Sequence, residues 1–488
     1  MSDHTRADGQ GKTHRRIRAN RREFMKASAI VGMSAFAVGR GAWADESAPA
    51  SKSPNGNLGI ACIGVGGKGD SDSSQVGLYG NVVAICDIDD KMLAKKAEQF
   101  PKAEKFNDFR KMFDALGKSI DAVTVSVPDN CHAVASMMAM KMGKHVYCQK
   151  PLTPTIREAR EMRMAAREHK VCTQMGNQGT AHPDTRHAVD ILRAGALGPV
   201  KEVHIWTNRP IWPQAPKVMA RLPEEPVPST VHWDEWIGPA PMRPYNAGYH
   251  PFKWRGWWDF GTGALGDMGC HTANMPYMGL ELGYPTSIEA KCGDLNDETY
   301  PSWATIVYHF PARGDKPAVK LTWWEGHRPD SKDAQKRNLP DTNVTRGFTL
   351  PDSGSLVIGE KAMMFSLHDY GANDKIVFNA DTHGTMIDVP DFLPKVPMTA
   401  SQHGNPKAGY NNDEGQKAEW IAAIKSGKAE TALSNFDYAG MLTEFLLLGN
   451  IAIKTGKKLE WDGPGMKFTN NDEANSLIHR EYRKGWSM

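Results

Sequence analysis

The chain is poor in several features that would settle its class at once. Its seven cysteines, at 62, 86, 131, 148, 172, 270 and 292, include no Cys-x-x-Cys pair, which argues against a disulfide scaffold and for buried thiols. Neither sign of charge is in large excess: 59 Lys and Arg stand against 56 Asp and Glu, so nothing marks nucleic acid or an anionic membrane as partner. There is no internal repeat, no low-complexity tract beyond a polar stretch at 45–57, and no cluster of residues with metal-ligand spacing. Disulfide-rich, repeat, disordered and nucleic-acid-binding classes are set aside on these absences.

What is present begins with export. Asn20-Arg21-Arg22-Glu23-Phe24-Met25-Lys26, a weakly apolar run from Ala27 to Val38 and Ala42-Trp43-Ala44 read together as a twin-arginine signal with a small-residue cleavage site. The apolar run is too short for a permanent membrane anchor. Residues 1–44 carry nine Lys and Arg against Asp3, Asp8 and Glu23, a net +6 within a whole-chain +3, which leaves the remainder near −3. The reading is an exported, periplasmic protein that meets the twin-arginine machinery. That route carries folded proteins, so a cofactor bound in the cytosol can travel with the chain.

The remaining length suggests two domains, 58–178 and 179–488. In the first, the apolar run Leu58 to Ile63 leads into Gly64-Val65-Gly66-Gly67-Lys68-Gly69, and a second apolar run ends at Asp87. Strand, glycine turn, helix and strand in this order are a Rossmann unit. Gly64 serves the tight turn, Gly66 the approach of backbone to a pyrophosphate, and Gly69 the contact of helix with strand. Backbone N–H groups at the helix start then hold the phosphates. Asp87 suits the two hydroxyls of an adenosine ribose and repels a 2′-phosphate, so NAD is expected over NADP. Helices are expected over Lys91 to Phe100 and near Phe109 to Leu116, then a strand from Ala122 to Val127. At its carboxyl end Ser126, Pro128, Asn130 and His132 are candidates to line ribose and nicotinamide; for His132 the alternative is a residue capping its own turn.

The strand His145 to Cys148 delivers Gln149-Lys150-Pro151. Here the chain resembles the Gfo/Idh/MocA oxidoreductase family, whose members carry Glu-Lys-Pro after this strand. Gln149 departs from that pattern and removes a carboxylate beside Lys150. The resemblance runs from about Asn57 to the end of the sequence. It implies an α/β fold, with an N-terminal Rossmann NAD(P)-binding domain and a C-terminal α+β domain built on a large open mixed or antiparallel sheet. In the family that sheet forms dimers or tetramers, so a homo-oligomer is implied.

The second domain begins with Gln174 to Gly179, where Asn177 and Gln178 face either cofactor and sugar or their own turn. A helix bearing Arg186, a substrate-binding candidate, and His187 follows. Half of the fourteen tryptophans fall within residues 206–258; Trp254 and Arg255 are kept as substrate-binding candidates, since aromatic faces suit sugar C–H faces and a guanidinium suits hydroxyls or a carboxylate. Asp267 and His271 stand four residues apart on one helix face, where a carboxylate can orient an imidazole that takes a proton. The pair matches the Asp and His of the family's inositol dehydrogenases; a structural pair near a helix start is the competing account. Strands are expected at Ser287 to Cys292, Ala304 to Phe310 and Val319 to Trp324, and closing helices at Glu414 to Lys425 and Tyr438 to Lys454.

The expected activity is hydride transfer between a sugar or polyol hydroxyl and tightly bound NAD, with Lys150, Asp267 and His271 catalytic and Gln149 beside the cofactor. Two alternatives stand: an NAD-dependent glycoside hydrolase acting through a transient keto-sugar, and a non-catalytic binding protein of the same fold.

Overall fold

In the computed structural model the described residues are 57–379, 385–388 and 412–488; the export signal and nearly all of the polar linker lie outside them. Two sheets organise the chain. The first is built from β1 (Gly59–Ile63), β2 (Asn81–Cys86), β3 (Glu104–Phe106), β4 (Ala122–Val125), β5 (His145–Cys148) and β6 (Thr173–Met175), all parallel, in the order β3-β2-β1-β4-β5-β6. Every residue of β1, β4 and β5 is buried, as unbroken apolar runs require when helices cover both faces. Helices α1 (Lys68–Val76), α2 (Asp90–Gln99), α3 (Phe109–Leu116), α4 (Asp129–Lys141) and α5 (Ile156–Glu168) make the crossovers. Side-chain caps fix where several of them begin: Asp89 accepts from the Lys91 amide, Asp108 from that of Arg110, and Thr155 forms a capping box with Glu158.

After α6 (Pro183–Arg193) comes the second sheet, with strands β7 (Val200–Thr207), β8 (Ser287–Gly293), β9 (Trp303–Phe310), β10 (Val319–Gly326), β11 (Gly354–Gly359), β12 (Ala362–Ser366), β13 (Asp374–Phe378), β14 (Ile387–Asp388), β15 (Leu459–Asp462) and β16 (Lys467–Phe468). Their order is β14-β13-β12-β11-β7-β10-β9-β8-β15-β16. Only β7 and β10 pair in parallel, so the sheet is mixed. Alternating burial along β9 gives it one covered face, against which Leu446, Phe445 and Leu448 pack with Ile306, Tyr308 and Phe310. The short helices α7 (Trp233–Ile237), α8 (Gly263–Thr272) and α9 (Asn274–Leu280) lie between β7 and β8 in sequence, α10 (Asp413–Ser426) and α11 (Phe436–Thr455) between β14 and β15, and α12 (Asp472–Ser476) after β16. Helix α11 is long and apolar enough to cross a membrane, yet 83% of that stretch is buried inside the protein, as in the core helix of a soluble fold.

The two closing helices occupy the positions their apolar patterns predict to within two residues. Less expected is where α10 goes. Trp420, Ile421, Ala423 and Ile424 join one core with Leu58, Ile60, Cys62 and Tyr147, so a helix from late in the chain completes the first domain. Trp420 is fully buried, and cutting it to Ala would cost about 3–5 kcal/mol.

Candidate active site

The glycine turn behaves as its spacing predicts. Gly64 has φ +79°, and a Cβ on it would lie 2.4 Å from the Ser126 carbonyl oxygen; a Cβ on Gly69 would lie 2.1 Å from that of Gly64. The start of α1 is thereby pressed onto the turn. Asp87 ends β2 and braces the loop: one carboxylate oxygen accepts from the amides of Val65 (2.8 Å) and Gly66 (3.1 Å), the other from Asp89 (3.0 Å). Burial pushes the Asp87 carboxyl up from its ordinary value, against the downward pull of these amides.

A cavity of about 590 Å³ runs along the carboxyl ends of the first sheet. Of the expected cofactor residues, Gly64, Gly66, Asp87, Ser126, Pro128 and Gln149 line it, as does Lys150. Trp254 and Arg255 close its far end. The pocket thus unites one wall from each half of the chain.

Four expected ligand residues are structural instead. Asn130 donates to the Ile237 carbonyl (2.9 Å) and ties α4 to α7. His132 sets its two ring nitrogens 2.7 Å and 2.9 Å from the carbonyl oxygens of Pro151 and Val127, joining the loops after β4 and β5; it neither lines the cavity nor caps its own turn. Two carbonyl partners suit an imidazolium, and although burial opposes charge, Cys148 and these carbonyls raise the pKa. Asn177 donates to the Cys270 carbonyl and accepts from Ser434. Arg186 is buried in a bond to Glu419 (2.6 Å) and another to the Thr180 carbonyl (2.8 Å), and it does not line the cavity.

At the reaction end, Lys150 donates to the side chain (2.8 Å) and main-chain carbonyl (2.6 Å) of Asp267, and Arg255 Nε approaches the same carboxylate at 3.2 Å. Burial alone would raise Asp267, but the two cations outweigh it and hold the carboxyl well below the usual range. Asp267 is therefore anionic and committed to cations, not to His271. The expected orientation of the imidazole by Asp267 does not occur, even though α8 carries both on one face. His271 is 3% exposed, its Nδ1 is buried without a hydrogen-bond partner, and its ring meets Tyr370 edge-on at 4.8 Å. Burial first, and the Lys150 charge next, hold it well below its ordinary pKa, so it is neutral at pH 7. Neither Asp267 nor His271 lines the cavity itself; Lys150 does.

Several residues escaped the sequence reading. Asp129, one residue past Pro128, lines the cavity and accepts from Thr262 (2.7 Å); burial pushes its carboxyl up to about 7. An acid at the carboxyl end of a sheet strand was the available signal. Beneath the cofactor wall lies a polar network. Fully buried Asp72 accepts from Ser126 (2.8 Å) and Gln149 (2.8 Å) and pairs with Lys68 (2.8 Å) and Lys417 (2.7 Å); both lysines also reach Asp413 at 2.6 Å. This network explains Gln149. The side chain spends its amide N–H on Asp72, where a glutamate would set a second carboxylate against the first.

Dinucleotide-binding residues are thus present and well formed: a glycine cradle no larger residue could enter, a carboxylate at the second strand end, and a cavity of the size small-molecule sites have.

Comparisons with known proteins agree with this geometry. Residues 57–177 match the model of an oxidoreductase family with an NAD-binding Rossmann fold, and residues 188–339 match that of the same family's C-terminal alpha/beta domain. A glycosyl hydrolase family 109 protein of Solibacter usitatus is 29% identical over 193 residues, 37% of this chain and 44% of that protein. The chain therefore spans less than half the length of this curated relative. Among solved structures, a levoglucosan dehydrogenase in complex with NADH and levoglucosan superposes with a TM-score of 0.55 at 16% identity, covering 83% of this chain and 99% of the other. An inositol dehydrogenase homolog from Azotobacter vinelandii, complexed with NADH and myo-inositol, gives 0.57 at 15% identity, with 83% and 98% covered. At these identities the superpositions establish the fold. The two family matches together take in more than half of the sequence, and the chain belongs to the Gfo/Idh/MocA oxidoreductase family.

Proposed function

We propose that this protein is an exported, NAD-dependent oxidoreductase that moves hydride between a carbohydrate or polyol hydroxyl and the nicotinamide. The observation that carries the reading is the Lys150–Asp267 pair at the reaction end of the dinucleotide cavity, with a neutral imidazole one turn further along α8. The sugars and NADH bound by the two structural neighbours support it.

Gly64, Gly66 and Asp87 would hold the dinucleotide, and a bound nicotinamide supplies the hydride acceptor. The protein's own part is charge and proton handling. Lys150, fixed by Asp267, places a cation where the substrate oxygen gains negative charge. His271, neutral and one helical turn from Asp267, takes the hydroxyl proton. Arg255 and Trp254 form the wall against which a sugar ring rests. The carboxylate of Asp87 favours NAD over NADP. The twin-arginine signal supports folding with cofactor before export to the periplasm, and tight retention follows from a compartment without a free dinucleotide pool. The half-exposed face of β9, with Trp303, Thr305, Val307 and His309, supports a homo-oligomer.

A second reading has one observation behind it, the likeness to a glycosyl hydrolase family 109 protein. There the same hydride step would open a glycosidic bond through a transient ketone and return the hydride, with no net NADH. The test is to denature the purified protein, identify the released nucleotide by absorbance and mass, and then screen sugars, polyols and aryl glycosides. NADH formed from a free sugar supports the dehydrogenase. Aglycone release without NADH supports the glycosidase. No nucleotide, with added NAD binding no better than millimolar, leaves a binding protein.

A further inference from the structure

The last ten residues of the sequence, His479 to Met488, form a strap laid across the first domain. Arg480 reaches the carboxylate of Glu158 (3.1 Å) and the carbonyl of Asn130 (2.5 Å), and the Tyr482 hydroxyl donates to Glu158 (2.6 Å). Arg483 holds Asp234 (2.5 Å) and the Gly238 carbonyl (3.1 Å), while its amide donates to the Pro239 carbonyl (3.0 Å). Lys141 donates to the Met488 carbonyl (2.7 Å). One segment is thus fastened to α4, α5 and the region of α7.

These anchors deliver Trp486 to the dinucleotide cavity, whose wall it shares with Phe109, Asp108 and Asn107. Its ring lies 5.9 Å from that of Phe109, centroid to centroid and tilted by 57°, and the Arg110 guanidinium sits 4.2 Å from its centre. Arg110 is itself held by Asp108 at 2.9 Å. The indole is therefore oriented from behind by a fixed cation.

The strand order says which end of the cavity this is. Lys150 follows β5, on one side of β1; Asp87 follows β2, and Asn107 to Phe109 follow β3, on the other. In this sheet the half of a dinucleotide beyond the ribose carboxylate is its adenosine. We propose that the strap is an adenosine-binding element, with Trp486 the aromatic wall for the adenine of the cofactor, so that the end of the chain helps retain the dinucleotide. The proposal rests on the NAD reading above. An indole face suits a purine irrespective of its hydrogen-bonding edge, and one such contact is worth about tenfold or more in affinity.

The test uses the full-length protein freed of bound nucleotide, with calorimetric titration of NADH, AMP and nicotinamide mononucleotide into wild type, Trp486→Ala and Trp486→Phe. The expected result is that W486A weakens NADH and AMP by about tenfold each and leaves the mononucleotide unchanged, while W486F stays within about threefold of wild type. Should W486A not fold, as judged by its melting transition, Trp486→Leu keeps the apolar contact without the ring and is expected to lose the same factor. If wild type binds NADH and the ringless variant binds NADH and AMP as wild type does, the proposal is overturned. If wild type binds none of the three, the NAD reading fails first.

Discussion

Two clusters of lysine and aspartate meet at the adjacent residues Gln149 and Lys150 and do opposite work. Around Asp72, two lysines, Asp413, Ser126 and Gln149 satisfy one another; Asp72 and the Lys417 side chain are both at 0% exposure, while Lys68 keeps an edge on the cavity. Around Asp267, Lys150 and Arg255 are paired just as closely, yet Lys150 faces a cavity and His271 keeps a ring nitrogen without a partner. Residue types do not separate the two. What separates them is a ring nitrogen left without a partner. The first cluster joins α10 to the cofactor wall; the second can respond to a substrate.

The largest expected effects follow from that contrast. His271→Asn should lower turnover on the identified sugar by about 10²–10⁴-fold, the usual value of a positioned proton acceptor, while shifting the melting temperature little, because Nδ1 has no hydrogen bond to lose. Lys417→Met should do the reverse. It strips Asp72 of one buried partner and Asp413 of another, which costs about 3–5 kcal/mol and should appear as a lower denaturation midpoint. A His271→Asn protein that melts far earlier, or a Lys417→Met protein as stable as wild type, would erase the distinction.

Gln149→Glu sharpens it further, with a smaller effect. The new carboxylate would meet Asp72, which accepts from the present amide at 2.8 Å. Like charges in a buried site raise a carboxyl pKa, so the variant should be less stable near pH 7 by roughly 2–4 kcal/mol. The sign fixes the pH profile: a folded pKa raised above the unfolded one makes the loss grow as pH rises above about 4.3 and shrink in acid. A loss that is flat with pH would mean that shape, not charge, selects glutamine.

How much of this was legible follows the same division. The glycine turn, Asp87, Lys150 and the Asp267 and His271 spacing are local patterns, each carried by a few adjacent residues, and strand and helix periods were strong enough to place both sheets. Asp72 was not legible, because its buried partner Lys417 lies 345 residues downstream and nothing in Gly69-Asp70-Ser71-Asp72 distinguishes a buried acid from a solvated one. Arg186 and Asn177 failed for the converse reason: their types suit a ligand, and only the fold shows Glu419 and Ser434 in the place a ligand would take. Asp267 fell between. Helical spacing set it beside His271, but spacing cannot say which neighbour wins a carboxylate when two cations arrive from Lys150 and Arg255.

The finest test of the comparison is a pH titration of stability. Asp267 and Asp72 have carboxyls held below the ordinary range, so the stability they confer is present above about pH 4 and is lost only as pH falls further. Asp129, which borders the same cavity, lies the other way. Burial raises it from 3.8 to about 7, so the folded protein binds the proton more tightly than the unfolded chain, and its contribution is full below pH 4 and declines as pH rises from there to about 7. Buried Glu325, also raised to about 7, adds a like slope in the same window. Replacing Asp129 by Asn keeps an acceptor for Thr262 and removes its proton from that slope. The urea midpoint of the variant relative to wild type, measured from pH 4 to 8, should then be level near pH 4 and move ahead by pH 8. An unchanged slope would place the Asp129 carboxyl among the ordinary anions of the reaction cluster, and the cavity would hold one more negative charge at neutral pH than its burial implies.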